Sequence, residues 1–350
     1  MSAETPQGRP TAVLITGGAG FIGSRFARRF VEDGADVTIL DNLSRPGSEW
    51  NAAELRRELG GEVRQVTADV RDGDAVGAAA ANADVVIHLA GQTAVTRSVN
   101  DPGSDFLDNC LGTFNVLEAA RGSGRDPIVA YASTNKVYGP LDRLVVAEEP
   151  FRYRLVDRPL GIDECQPLDC ASPYACSKGA GELYAMDYAR TYGLPTVVLR
   201  QSCIYGEGQL GLEDQGWLAW FVRALSAGQG LTIFGDGKQV RDLLHVDDLF
   251  RCYEAAMTRI NVASGRAYNV GGGPHNTVSV WLELGPMLEE LMGRSTEPHF
   301  APWRLGDQRV FVADVTKARR ELGWSPSISP SSGLRRLVDW VRATELPALP

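Results

Sequence analysis

A doubly wound α/β fold, a parallel sheet with helices on both faces, is predicted for residues 1–202, and a smaller mixed α/β lobe for most of 203–350. Three observations predict it. Short, almost continuously apolar runs alternate with helical stretches, as expected of strands covered on both faces. The first run leads directly into a glycine cluster and a helix. After residue 205 the alternation breaks into shorter pieces separated by GEGQLG, GDGK and NVGGGPHN, with no repeat of the first half.

The expected strands are TAVLITG (11–17), DVTIL (36–40), EVRQVTA (62–68), DVVIHLA (84–90), PIVAYAS (127–133) and TVVLRQS (196–202). Their Val, Ile and Leu content suits a sheet buried on both sides. Helices are expected over FIGSRFARRFVEDG, SDFLDNCLGTFNVLEAAR and SPYACSKGAGELYAMDYARTYG, two of which end on the glycine that favours a helix C-terminus. A chain longer than about 250–300 residues outgrows one core, so two lobes are expected, and part of 236–260 is expected to join the first. Segment 140–170, rich in charge and proline, reads equally as an ordered insertion or lid over the site and as a mobile surface loop.

With 44% hydrophobic and 23% charged residues the composition is that of an ordinary globule. A net charge of −9 opposes nucleic acid and anionic membranes as partners. Any anionic ligand must then be met by locally placed cations. MSAETPQGRP lacks the basic start and apolar core of a secretory leader, and no apolar run approaches the ~18 residues of a span, so a cytoplasmic location is expected. Six cysteines and four histidines are dispersed without metal-ligand spacing, which predicts reduced thiols and no metal.

TGGAGFIG places Gly17, Gly20 and Gly23 between the first strand and its helix. Glycines there permit a tight turn, close approach of a pyrophosphate to the backbone, and helix–strand packing, which is the Rossmann-type fingerprint of a dinucleotide site. Asp41 ends the second strand, where a carboxylate accepts from a ribose 2′-hydroxyl and repels a 2′-phosphate. NAD is favoured over NADP, although Arg45 nearby pulls the other way. Asp69 and Val70 follow the third strand, placed to meet adenine; Asp69 alternatively caps the next turn.

SPYACSKG sets Tyr174 and Lys178 at i and i+4, on one face of a helix. An ammonium a few ångströms from a phenol favours its ionisation and makes it a usable base. YxxxK alone is common; behind a dinucleotide fingerprint and a hydroxyl-bearing strand end it is specific.

With TGGAGFIG, DNLSR, HLAGQ, DNCLGT, SPYACSKG, VRDLLHVDD and ELGWSP together, the chain resembles the extended short-chain dehydrogenase/reductases, the nucleotide-sugar epimerases and dehydratases. The resemblance implies Thr134, Tyr174 and Lys178 as the catalytic set. For the cofactor it implies Gly17, Gly20, Phe21, Ile22, Asp41, Asn42, Ser44, Arg45, Asp69, Val70, Leu89, Ala90, Gly91, Gln92, Asn109 and Ser202, besides Tyr174 and Lys178. It implies a nucleotide-diphosphate sugar bound by Gln92, Thr134, Asn135, Lys136, Cys203, Gln215, Gly216, Trp217, Arg241 and Arg309. Each arginine reads also as a solvated surface charge, and Trp217 also as core packing. Helices near 104–121 and 174–192, with Phe106, Leu107, Leu111, Leu183 and Met186, imply a four-helix homodimer interface or ordinary packing on the sheet.

Positions 135 and 136 narrow the chemistry. Sugar 4,6-dehydratases carry an acid pair there, and related decarboxylases a glutamate at the second position; Asn135 and Lys136 supply neither. Epimerisation remains. STNKVYG, DYARTYGLPTVVLR, DQGW, GKQVRDLLH and GDQRVFVAD are together similar to the CDP-paratose (CDP-tyvelose) 2-epimerases. A 4-epimerase of a UDP- or CDP-hexose is the alternative, and an NAD-binding sensor without turnover is a third reading, opposed by the intact Thr134, Tyr174 and Lys178. Lys136 either pairs with an acid of segment 140–170 or orients the sugar or its phosphates. Cys203 departs from the asparagine common at its position.

Overall fold

Seven strands, β1 (Ala12–Thr16), β2 (Asp36–Asp41), β3 (Val63–Thr67), β4 (Val85–His88), β5 (Ile128–Thr134), β6 (Thr196–Gln201) and β7 (Arg266–Val270), pair in the order β7-β6-β5-β4-β1-β2-β3. All six pairings are parallel. The structure is a computed structural model, and it describes residues 11–304 and 307–349; the opening decapeptide, read above for a leader, lies outside them. The strand order reverses between β1 and β4, which opens a crevice at the carboxyl ends of the strands.

The apolar runs are strands because both faces are covered. Val13, Ile15, Val37, Ile39, Val197 and Leu199 pack against Phe26, Phe30, Phe250 and Tyr253 on one side. Leu14, Leu40, Val86, Val129 and Val198 pack against Val116, Leu117, Ala185 and Tyr188 on the other. Phe26 and Phe30 meet Phe250 edge-on, with ring centroids 5.2 and 5.0 Å apart.

The smaller lobe is built around strand Val240–His245, which pairs with Cys203–Tyr205 and Val310–Phe311 in parallel and with Thr277–Ser279 antiparallel. Leu218, Phe221 and Val222 from helix Trp217–Ser226, Leu284 and Leu288 from Leu284–Met292, and Leu334 and Leu337 from Pro330–Ala343 form its core.

Of 236–260, strand Val240–His245 stays in the small lobe, whereas helix Val246–Thr258 supplies Phe250 and Tyr253 to the main core. The main sheet also takes β7 from residues expected in the second lobe. RAYNV has too short an apolar run to announce a strand, and only pairing with buried β6 makes it one. Segment 140–170 is an ordered insertion: Val146–Glu148 and Tyr153–Leu155 form a hairpin, and Tyr153, Leu155 and Ile162 pack on Tyr138, Val240 and Phe311. It is not a lid, because none of its residues lines the central crevice; its apolar side chains are spent on the small lobe, where Arg152 is 2.8 Å from Glu283. Among the described residues no helix is long and apolar enough to cross a membrane, and no group of His, Cys, Asp or Glu has the makings of a metal site.

Phe250 comes from beyond the first lobe yet is 2% exposed beneath its sheet. Phe250→Ala is expected to lower the unfolding free energy by about 3–5 kcal/mol, measured by chemical denaturation.

Candidate active site

The glycine turn forms one end of a crevice of about 510 Å³ that runs from Gly17 to Arg241 between the lobes. Gly17 adopts φ +69°, and a Cβ there would lie 2.7 Å from the Ala90 nitrogen. A Cβ on Gly91 would collide with the Asn109 side chain. Side chains at these points would fill the cradle, so the residues present fit a dinucleotide pyrophosphate laid on the N-terminus of helix Phe21–Glu32.

Asp41 lines the crevice and accepts the Ala19 N–H at 3.0 Å and the Leu43 N–H at 2.8 Å. Burial pushes its carboxyl up, against those N–H groups and Arg45. Asn42 donates to Asp69 at 2.8 Å, and Arg71 pairs with Asp69 at 2.7 Å, holding that carboxyl down at about 2. Asp69 also accepts the Arg71 N–H at 2.9 Å, so it organises the turn while it faces the crevice with Val70. Arg45, which clouded the choice of cofactor, is engaged elsewhere: its guanidinium donates to Thr93 at 2.7 Å and across the crevice to Gln215 at 2.6 Å. Phe21, Ile22, Ser44, Leu89, Ala90, Gly91, Gln92 and Ser202 line the same wall.

Asn109 does not. It sits behind the wall in a widened π turn, Leu107–Leu111, and its amide nitrogen donates to Gln92 O and Asp105 at 3.2 Å and to Ser177 at 2.9 Å. Its amide nitrogen thus joins Gln92 to the residue before Lys178, a positioning role, while its Oδ1 is left without a hydrogen-bond partner among the described residues.

Ser172 caps helix Pro173–Tyr192 by accepting the Ala175 N–H at 3.1 Å, and Pro173 opens it, which fixes Tyr174 in the first turn. The phenol meets the hydroxyl of Thr134 at the end of β5. Burial pushes the Tyr174 phenol up; the Thr134 hydrogen bond and Arg45 pull it down, and Asp105 opposes them. Lys178 was expected to supply the acidifying charge, but its ammonium lies 4.3 Å from the centroid of the Tyr131 ring, and Arg45 is the cation that bears on the phenol. Burial lowers Lys178 to about 8, with Asp105, Cys110 and Glu182 pulling back.

Lys136 follows Thr134 in the short turn Asn135–Tyr138 and is also lowered to about 8, by burial and by Arg241, with Asp307 opposing. No acid of 140–170 pairs with it. Trp217 donates its indole N–H to Cys203 at 3.2 Å, and burial lifts that thiol to about 12. Cys203 therefore acts as a neutral wall, not as a phosphate donor. Asn135, Gln215, Gly216 and Arg241 complete the lining. Arg309 is not brought in: it is exposed, 5.4 Å from the centroid of the Tyr153 ring, and lines a separate cleft with Pro140 and Leu141. Arg304, Asp307, Asp214 and Gln239 line the crevice and were missed. APWRLGDQR offers two arginines, and spacing alone does not say which of them turns inward.

The sequence model of the NAD dependent epimerase/dehydratase family matches residues 13–271. A CDP-paratose 2-epimerase of Salmonella typhi is 42% identical, covering 94% of this chain and 98% of its own length. A UDP-glucose 4-epimerase of Mycolicibacterium smegmatis is 35% identical over 94% of this chain and 98% of its own. The crystal structure of the Thermus thermophilus UDP-glucose 4-epimerase in complex with NAD superposes with a TM-score of 0.79 at 32% identity, covering 95% of this chain and 100% of that one.

Both crevice lysines carry charge below about pH 8 and lose it above. Catalytic efficiency is therefore expected to fall as pH rises through 8, measured as the pH profile of kcat/KM.

Proposed function

The chain belongs to the NAD dependent epimerase/dehydratase family, and we propose that it inverts C2 of a CDP-3,6-dideoxyhexose, interconverting CDP-paratose and CDP-tyvelose through a 2-keto sugar. One observation carries the proposal: the Tyr174 phenol meets the Thr134 hydroxyl, and an amide and an ammonium follow where dehydration requires two carboxyls.

The glycine turn, Asp41 and the Leu89–Gln92 wall would hold NAD, which would supply a reversible two-electron acceptor. Tyr174 takes the C2 hydroxyl proton as that carbon is oxidised and returns it when the ketone is reduced on its other face. Thr134 orients the hydroxyl, Arg45 is the cation that bears on the phenol, and Lys178, on the same helix face as Tyr174, would hold the nicotinamide ribose. Arg241 and Lys136 hold the diphosphate while the sugar turns over. The redox change is zero over the cycle, so no external oxidant or reductant is consumed, and the enzyme is an isomerase. A 4-epimerase is the second reading, favoured by the 35% identity to a UDP-glucose 4-epimerase.

A homodimer is supported by an unusual apolar patch on the two helical stretches expected to pair. Phe106 is 59% exposed and Leu183 57%, and Phe114 and Tyr184 stand beside them with ring centroids 6.4 Å apart. Met186 packs instead toward the sheet. Six free cysteines suit a reducing, cytoplasmic setting.

Incubation with CDP-paratose is expected to yield the C2 epimer by NMR, and inversion of UDP-glucose at C4 in its place would overturn the proposal. Tyr174→Phe is expected to reduce turnover by about 10²–10⁴-fold with NAD still bound. Phe106→Asp together with Leu183→Asp is expected to give a folded monomer in sedimentation analysis, against a dimer for the parent.

A further inference from the structure

Lys136 is a crevice cation that the proton chemistry leaves without a task. Its backbone N–H donates to the Thr134 hydroxyl at 3.2 Å, so the residue is tied to the catalytic strand end. Its side chain lines the crevice beside Arg241, and its ammonium makes no hydrogen bond or ion pair with any described residue. Arg241, on the small lobe, spends one N–H on the Val240 carbonyl at 2.8 Å and turns the rest of its fork to the same space. Asp307 is the carboxylate that acts on both. Two adjacent cations in a low-dielectric crevice, with Asp307 acting on both and Asp242 on Arg241 alone, are costly unless an anion completes them.

The placement of the two cations is unequal. Arg241 belongs to the small lobe, whereas Lys136 stands two residues from Thr134, near the reacting carbon. In a nucleotide sugar the phosphate is attached at C1. C2 neighbours that carbon, and C4 lies across the ring from it. An enzyme that oxidises C2 must therefore hold the sugar-bearing phosphate close to its catalytic hydroxyl, and one that oxidises C4 must hold it farther away. We infer that Lys136 binds the phosphate next to the sugar and, by drawing it toward Thr134 and Tyr174, selects C2 over C4 as the carbon that reacts. This inference rests on the nucleotide-sugar reading above and adds to it the residue that sets regiochemistry. A lysine suits the task as a compact point charge that tolerates the turning of the sugar, while the Arg241 fork keeps the rest of the diphosphate fixed.

CDP and CMP separate the two phosphates, because CMP lacks the one that carries the sugar. Calorimetric titration of the NAD-bound parent, Lys136→Met and Lys136→Arg is expected to show CDP binding weakened roughly 10- to 100-fold in Lys136→Met. CMP binding should stay within about twofold, and Lys136→Arg should recover most of the CDP affinity. Equal loss of CDP and CMP, or loss of neither, would overturn the phosphate contact. With CDP-paratose, Lys136→Met is expected to lose C2 inversion by a similar factor in kcat/KM, with residual oxidation moving to C4 as read by NMR. Parent-like C2 inversion in Lys136→Met sinks the regiochemical inference and leaves the proposed function standing. Inversion at C4 by the parent overturns the proposed function and the regiochemical role together, while the CDP-to-CMP comparison still decides the contact.

Discussion

Everything in the site depends on how helix Pro173–Tyr192 is locked across the ends of β5 and β6. Tyr174, Lys178 and Glu182 recur at i, i+4 and i+8 and share a face. Glu182 is wholly buried and bonded by Arg200 of β6 at 3.0 Å and by Ser133 of β5 at 2.9 Å. Arg200 continues to the Tyr138 hydroxyl at 2.7 Å, and Tyr138 to Asn269 of β7 at 2.7 Å. A buried ion pair adds little net stability over an apolar pair of the same volume, but a charge left without its partner is severely destabilising. The network thus acts as a register: one axial position of the helix satisfies it, and that position brings the Tyr174 phenol to Thr134.

The electrostatics of the crevice are set by burial more than by pairing. An acidic chain keeps Lys178, Lys136, Arg45 and Arg241 in a crevice where burial lowers the pKa of each. Arg45 is held by Thr93 and Gln215 and so links the lobes, while Lys136 is left for a ligand. For Tyr174 burial also wins, which leaves the phenol a weak acid and couples its ionisation to the positive charge gathered around it. Cys203 fits this pattern: a neutral thiol that accepts the Trp217 N–H closes the wall without competing with Arg241 for phosphate.

Much of this architecture could be read along the chain. The six expected strands occur within a residue or two of their expected ends at most boundaries, because continuous Val/Ile/Leu runs leave few options but a doubly covered sheet. The glycine turn was legible because Gly17, Gly20 and Gly23 fall between an apolar run and a helical stretch, although the atoms that forbid a side chain at Gly17 belong to distant Leu89 and Ala90. Asn109 was placed in the right region: its identity marks an amide, and only the π turn shows that its nitrogen meets Gln92, Asp105 and Ser177 behind the crevice wall.

The sequence by itself determined the chemistry on offer: a dinucleotide turn, an acid at the end of β2, a phenol and an ammonium one helical turn apart, and an Asn135–Lys136 pair that rules out acid-pair dehydration. These follow from local sterics, helical period and side-chain identity, which act over a few residues. Only the tertiary structure decided that β7 closes the main sheet, that segment 140–170 is spent on the small lobe, that Arg304 and Asp307 face the crevice while Arg309 faces away, and that Lys178 lies over Tyr131. Those outcomes turn on which distant surfaces bury one another, and a side chain's neighbours across the core are not encoded in the residues beside it.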